Sequence, residues 1–220
     1  MIILKDIYKR YTSRQGVGDW VLKGISLVIP KNRSVGIIGG NGAGKSTLLR
    51  IICGADYASY GTVERRCRVS WPMGNGGVEP TMTGRQNAKF ICRAQGFEDE
   101  MPERIRRIED FADIGTAFDK PVNTYSSGMR SRLQFALSLA FDFDVYVSDE
   151  VTSAGDAAFR DKAAKAFKDL AGRSSIIMVA HNDATLKTFC ESGIFLYKGK
   201  ATWYDKIDDA LKAYKETIKK

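Results

Sequence analysis

The run Gly39-Gly40-Asn41-Gly42-Ala43-Gly44-Lys45-Ser46-Thr47 constrains this chain more than any other feature. It satisfies Gly-x-x-x-x-Gly-Lys-Ser. The short β-branched run Ser34–Ile38 precedes it, and Leu48, Leu49, Ile51 and Ile52 follow, suiting a helix that ends at Gly54. In such a loop the glycines let backbone N–H groups turn inward around phosphate oxygens, and the helix N-terminus adds its positive end. Lys45 is then expected against the β- and γ-phosphates and Ser46 on Mg²⁺, with Gly39, Asn41, Gly42, Ala43, Gly44 and Thr47 completing the cradle. A random chain of this length matches the pattern on the order of one time in a hundred. Strand before and helix after lower that figure further. The loop predicts binding of a nucleotide with Mg²⁺; it is shared by kinases, GTPases and ATPases and does not by itself choose among them.

The rest of the chain divides in three. Its first thirty residues hold two strand-like runs, IILKDI and VLKGISLVIP, around a polar segment at 12–19. From Pro80 to Ala140 the sequence is rich in helix formers. Pro102 and Glu103 are placed to begin a helix with Ile105, Ile108 and Ala112 on one face. Strand patterns return at Asp144–Ser148 and Ser175–Ala180, separated by a helical stripe of Phe159, Ala163, Ala166, Phe167 and Leu170. That alternation implies a parallel sheet. GIFLYKGKATWY reads as a hairpin turning at Gly199–Lys200, before a last helix with Ile207, Leu211, Tyr214 and Ile218 on one side. The expected organisation is a single α/β domain over 1–220, with residues 1–79 and 141–220 as core and β layer and a helical lobe at 80–140. Between core and lobe, SWPMGNGGVEPTMTGR (Ser70–Arg85) carries four glycines and two prolines and reads as a loop. Trp71 and Met73 are either apolar anchors for a partner or packed inward.

Composition excludes some classes. With 44% hydrophobic and 27% charged residues the chain is not disordered. No apolar run reaches the roughly 18–20 residues that cross a bilayer. MIILKDIYKR has apolar residues before charges and no small-residue cleavage site, so the expectation is a chain that stays on the cytoplasmic side of a membrane. Cys53, Cys67, Cys92 and Cys190 form no CxxC pair and read as reduced, partly buried thiols. The formal charge of +8 suits nucleic acid, an anionic membrane or a polyanionic ligand. Its residues are dispersed over RRCR (65–68), ERIRR (103–107) and the Lys-rich end, without an aromatic stacking platform, so no nucleic-acid partner is expected.

Two further positions carry chemistry. VYVSDE (Val145–Glu150) is a strand ending in two carboxylates. Alone, such a pair is usually a solvated turn. With a phosphate loop upstream, Asp149 fits the Mg²⁺-holding aspartate, and Glu150 fits the group that orients or deprotonates water. His181, the chain's one histidine, follows the apolar run Ile176–Ala180 and is expected at the same sheet edge, donating to the γ-phosphate.

GGNGAGKST, then YSSGMR (Tyr125–Arg130), VYVSDE, SAGD (Ser153–Asp156) and His181 follow the order seen in ATP-binding-cassette (ABC) ATPases, which the chain resembles over essentially its whole length. The resemblance implies a P-loop NTPase fold with a RecA-like core, an antiparallel β layer and an inserted helical lobe. It implies that two copies sandwich ATP between Lys45 of one and Ser126, Ser127 and Gly128 of the other. Most of the family has Leu-Ser-Gly-Gly-Gln at the signature, so Ser127 and Met129 are departures. Tyr11 matches the aromatic that stacks on adenine; a core aromatic is the alternative reading. The family's Mg²⁺-touching glutamine aligns with Glu79, where a carboxylate adds charge and cannot donate when ionised. VSWPMGNGG, TMTGRQN and YSSGMRSRLQFALSLAFDFD are similar to the ATPases that export capsular polysaccharide in Gram-negative bacteria. That likeness implies a separate transmembrane permease and a peripheral place at the cytoplasmic face of the inner membrane. Related exporters of O-antigen and teichoic acid share the signature type. The absence of a further domain after Lys220 is expected of the capsule branch. A soluble ABC ATPase acting on nucleic acid or ribosomes is the alternative from another class.

Overall fold

The computed structural model describes residues 1–13, 16–73, 77–149, 157–180 and 182–218. The chain forms two compact units. One comprises Met1–Pro72, Phe143–Glu150 and Ala171–Lys220, and the other Met73–Asp142 and Val151–Leu170.

The first unit begins with β1 (Ile2–Lys9), followed by a short ribbon of β2 (Thr12–Ser13) and β3 (Gly16–Val17). β4 (Leu22–Ile29) pairs antiparallel with β1. Strict alternation along IILKDIYK would turn Ile7 outward while Ile2 and Leu4 point in. The structure inserts one extra residue instead: the register passes from Leu4↔Leu27 to Ile7↔Ile25, with Asp6 at φ 52°. This bulge returns Ile7 to the inner face, so Ile2, Leu4 and Ile7 are all buried. β5 (Val35–Ile38) leads into α1 (Lys45–Cys53), which ends in a left-handed cap at Gly54 as its pattern predicts. β6 (Tyr60–Arg65) closes the antiparallel layer in the order β4-β1-β6. Gly61 there faces the bulge: a Cβ would lie 2.3 Å from the Asp6 carbonyl oxygen, so only glycine fits.

The main sheet is six-stranded and mostly parallel. Its remaining members are β7 (Val69–Met73), β8 (Val145–Asp149), β9 (Ser175–Val179), β10 (Ser192–Tyr197) and β11 (Lys200–Tyr204). Their order, β11-β10-β5-β9-β8-β7, places β5 centrally, parallel to both β9 and β10. β5 and β9 are buried at every residue because both faces are covered. Leu48, Leu49, Ile51 and Ile52 of α1 join Val35, Ile37, Val147, Ile177 and Val179 in one apolar cluster with the antiparallel layer. On the opposite face Gly36 lies under Ile207 and Leu186, from α7 (Ile207–Ile218) and α6 (Asp183–Phe189).

The second unit is helical: α2 (Gly84–Ala94), α3 (Met101–Ala112), α4 (Ser127–Leu139) and most of α5 (Ala157–Ala171). Phe111, Phe135 and Phe159 meet with ring centroids 5.8–6.3 Å apart, which ties α5 to α3 and α4. The sequence division at 79/80 and 140/141 cuts near the joins at Met73 and Asp142, whereas residues 157–170 group with the helices.

Three expectations change. Ser70–Arg85 is not one loop: β7 runs to Met73 and α2 starts at Gly84. Pro72 is tolerated because β7 is an edge strand, where a missing N–H costs no ladder bond. Met73 is buried and the Trp71 ring packs edge-on against Phe143 at 5.3 Å, so neither is a free anchor. The hairpin turns at Lys198–Gly199, both at positive φ, rather than at Gly199–Lys200. Ile218 is 63% exposed, and α7 buries Ala210 with Ile207 and Leu211. The four cysteines are free thiols, and burial pushes Cys190 up to about 12.

Candidate nucleotide site

The loop after β5 contains glycines of two kinds. Gly39 is needed for packing, since a Cβ would lie 2.4 Å from the Leu196 carbonyl oxygen of β10. Gly40 and Gly42 have nothing within 4 Å of a built Cβ, and Gly42 has φ +74°. They leave open space beside inward-turning backbone, as a phosphate cradle requires. Gly44 caps α1, whose first long bond runs from Leu48 N to Gly44 O at 2.8 Å. No acidic residue occupies the first turn of α1, so the helix itself sets no carboxylate against its positive end. Lys45 Nζ crosses the loop and donates to the Gly39 and Gly40 carbonyls at 2.9 and 3.0 Å. Its ammonium therefore stands over the cradle, where phosphate oxygens are stronger acceptors than carbonyls. Ser46 and Ala43 are half-buried and Asn41 is exposed. Thr47 is buried.

Sheet register carries Asp149 to the same edge. Ile37 is level with Val179 on β9, and Val179 with Asp149 on β8. Two strand spacings put Asp149 about 10 Å across from Ile37, two residues before the loop. Asp149 is half-buried, and no ion pair among the described residues ties up its carboxylate. A hydroxyl from Ser46 and a carboxylate from Asp149 are hard oxygen donors, a set that fits Mg²⁺ completed by phosphate and water. β9 ends at Val179, directly before Ala180. Glu150, His181 and Ser153–Asp156 lie outside the described residues.

Tyr11, just past β1, reaches α1: its hydroxyl bonds Thr47 Oγ1 at 3.3 Å and Asp56 Oδ2 at 3.0 Å. It is 43% exposed, so it is not a core aromatic. Sequence reasoning missed the residues behind it, Lys9 and Asp56, which lie 47 positions apart and meet only because β1 runs past the end of α1.

In the helical unit, Ser126 is the N-cap of α4 and accepts from Met129 N at 3.2 Å. Ser126 and Ser127 are exposed and Gly128 is half-buried at this helix start. Tyr125, by contrast, is buried and donates to Ala117 O at 2.6 Å. Glu79 is exposed, and the Thr81 hydroxyl, 2.7 Å away, holds its carboxyl below the usual range, with the Thr81 amide assisting. Asn87, also unforeseen, is the buried hub of this turn. It accepts from Glu79 N at 2.7 Å and donates to Glu79 O at 3.1 Å and Thr83 O at 3.0 Å. Its only sequence signal is a polar residue on the inward face of α2.

A parallel α/β sheet, a phosphate loop on its central strand and an aspartate ending a nearby strand define a P-loop nucleotide-binding domain. The model of the ABC transporter family matches residues 22–153, and the chain belongs to that family. It is an ATP-binding subunit and an ATPase. The chain is 42% identical over 220 residues to the polysialic acid transport ATP-binding protein KpsT of Escherichia coli, covering 99% of this chain and all of that one. It is 38% identical over 217 residues to the capsule polysaccharide export ATP-binding protein CtrD of Neisseria meningitidis, covering 97% and 98% of the two. Among solved structures, a dimeric ATP-binding cassette in a post-hydrolysis state with ADP and phosphate superposes with TM-score 0.74, over 94% of this chain and 99% of that one. At 23% identity that likeness is one of fold.

Proposed function

We propose that this chain is the ATP-hydrolysing subunit of an exporter of capsular polysaccharide. It works as a dimer with a separate permease, at the cytoplasmic face of the inner membrane. The observation that carries this reading is identity along nearly the entire length to relatives named for polysialic acid transport and capsule polysaccharide export. The Tyr125-Ser126-Ser127-Gly128-Met129 signature supports it. No helix among the described residues is long and apolar enough to cross a membrane.

In this mechanism the amides from Gly40 to Ser46 and the Lys45 ammonium bind the β- and γ-phosphates. Ser46 and Asp149 would hold Mg²⁺, which would neutralise phosphate charge. Tyr11 stacks on the base. Glu150 orients and deprotonates water, and His181 donates to the γ-phosphate. Ser126, Ser127 and Gly128 of the second copy close over the nucleotide with the positive end of α4. The lobe at 80–140 carries that signature, and the segment Ser70–Arg85 makes the permease contact, chiefly through the irregular residues 77–82 in front of α2. Catalysis is positioning and charge stabilisation.

Deleting the gene in its host should remove polysaccharide from the surface and leave lipid-linked polymer inside. Wild-type chain should restore export and Lys45→Ala should not. An intact capsule with O-antigen or teichoic acid lost instead refutes the capsule assignment.

A further inference from the structure

We infer that Lys9 and Asp56 are positioning residues that hold Tyr11 in one orientation for stacking against the nucleotide base. The inference rests on the reading of Tyr11 as the base-stacking aromatic. A tyrosine 43% exposed ordinarily samples several rotamers, but here it is held from two directions. Its hydroxyl bonds Asp56 Oδ2 at 3.0 Å and Thr47 Oγ1 at 3.3 Å, and accepts from Arg50 Nη2 at 3.4 Å. The Lys9 ammonium lies over its ring, 4.7 Å from the centroid. Lys9 is itself fixed: its side chain is 11% exposed, and it donates to Asp56 Oδ1 and to the Tyr57 carbonyl, each at 2.7 Å. One carboxylate therefore serves both restraints, with Oδ1 on the cation beneath the ring and Oδ2 on the hydroxyl at its edge.

Two physical consequences follow. A ring with a cation over one face offers the other face to a flat partner, and the cation draws electron density away from an incoming base. A side chain already immobilised loses less conformational freedom when it binds, so the network strengthens binding without touching the ligand. The hydrogen bonds to Lys9 and Tyr11 also keep Asp56 ionised, outweighing its partial burial. Thr47 links the assembly to α1, so Tyr11 keeps a fixed relation to the phosphate loop.

The test compares two probes on the full chain in the presence of Mg²⁺: a non-hydrolysable ATP analogue, and inorganic tripolyphosphate, which has no base. Tyr11→Ala should weaken the analogue and spare tripolyphosphate. Asp56→Asn and Lys9→Met should each weaken the analogue about three- to tenfold and leave tripolyphosphate within about twofold. In a Tyr11→Ala background Asp56→Asn should add nothing further, because a positioning residue acts only through the residue it positions. If Asp56→Asn and Lys9→Met leave the analogue unchanged while Tyr11→Ala weakens it, the positioning inference is overturned and the base contact stands. If Tyr11→Ala is itself without effect, the base-stacking reading fails. Equal weakening of both probes by Asp56→Asn overturns the inference by showing that the carboxylate supports the phosphate loop.

Discussion

Arg104 offers the sharpest test of how the helical unit is held together. Its side chain is 7% exposed on α3, and its guanidinium serves several neighbours at once. It donates to the Ala140 carbonyl at the C-terminal end of α4. It also bonds Glu100 Oε2 at 2.7 and 3.1 Å, lies 3.8 Å from Asp142 Oδ2, and stacks over Phe97 at 3.9 Å from the centroid. Arg104→Ala removes charge-assisted bonds, each contributing about 1.5–3 kcal/mol, and leaves a helix-end carbonyl without its donor. It also removes a cation–π contact of about 0.5–2 kcal/mol. These terms share one side chain and do not add fully; Glu100 and Asp142 are exposed enough to be solvated without Arg104, so the expected destabilisation, about 2–3 kcal/mol, comes mainly from the Ala140 carbonyl and the Phe97 contact. Arg104→Lys keeps the charge but has no fork to reach Ala140 and Glu100 together, so it should recover about half or less. All three tryptophans, Trp20, Trp71 and Trp203, lie in the other unit, so their fluorescence reports that unit alone. In urea, the circular dichroism of Arg104→Ala should therefore begin to fall at lower denaturant than its tryptophan emission. A loss under about 1 kcal/mol, or two transitions that stay superimposed, would refute the assignment of Arg104 as the clamp on α4.

Glu150→Gln should keep ATP affinity within a few-fold while lowering turnover by roughly 10²–10⁴, measured by phosphate release; unimpaired hydrolysis removes Glu150 from the mechanism. Mixing Lys45→Ala chains with Gly128→Asp chains should restore about one working site per mixed dimer, read as ATPase activity, whereas a mixture as inactive as either parent rules out shared sites. Asp56 is held below its ordinary value, so its contribution is fully present above the unfolded carboxylate range near pH 4 and is lost as pH falls through the lower folded value. Acid titration of thermal stability should show that loss in wild type and a flatter profile in Asp56→Asn; identical profiles count against the Lys9–Asp56–Tyr11 network.

Features written in contiguous residues were legible along the chain before any contact was known. The phosphate loop, the strand before it and the helix ending at Gly54 are local, because backbone freedom, helix dipole and cap are set within a few positions of one another. The same holds for Asp149 at the end of an apolar strand, and for α3 and α5, whose buried faces repeat at helical spacing. Features that depend on neighbours distant in the chain emerge only on folding. Glycines and prolines between Ser70 and Arg85 argue for a loop, yet Val69–Met73 became a strand because an open edge beside β8 asks nothing of Pro72. The bulge at Asp6 is invisible in alternation, since only pairing with β4 shows that Ile7 must turn back into the core. Tyr11 was legible as an aromatic upstream of the loop, but Asp56 and Lys9 were not. Their meeting requires the antiparallel layer to lay β1 across the end of α1, and a carboxylate and a lysine 47 residues apart carry no local sign of contact. Arg104 belongs with them: in sequence it is one of several arginines on α3, and only packing against Phe97 and the end of α4 sets it inside while Arg106 and Arg107 stay in solvent.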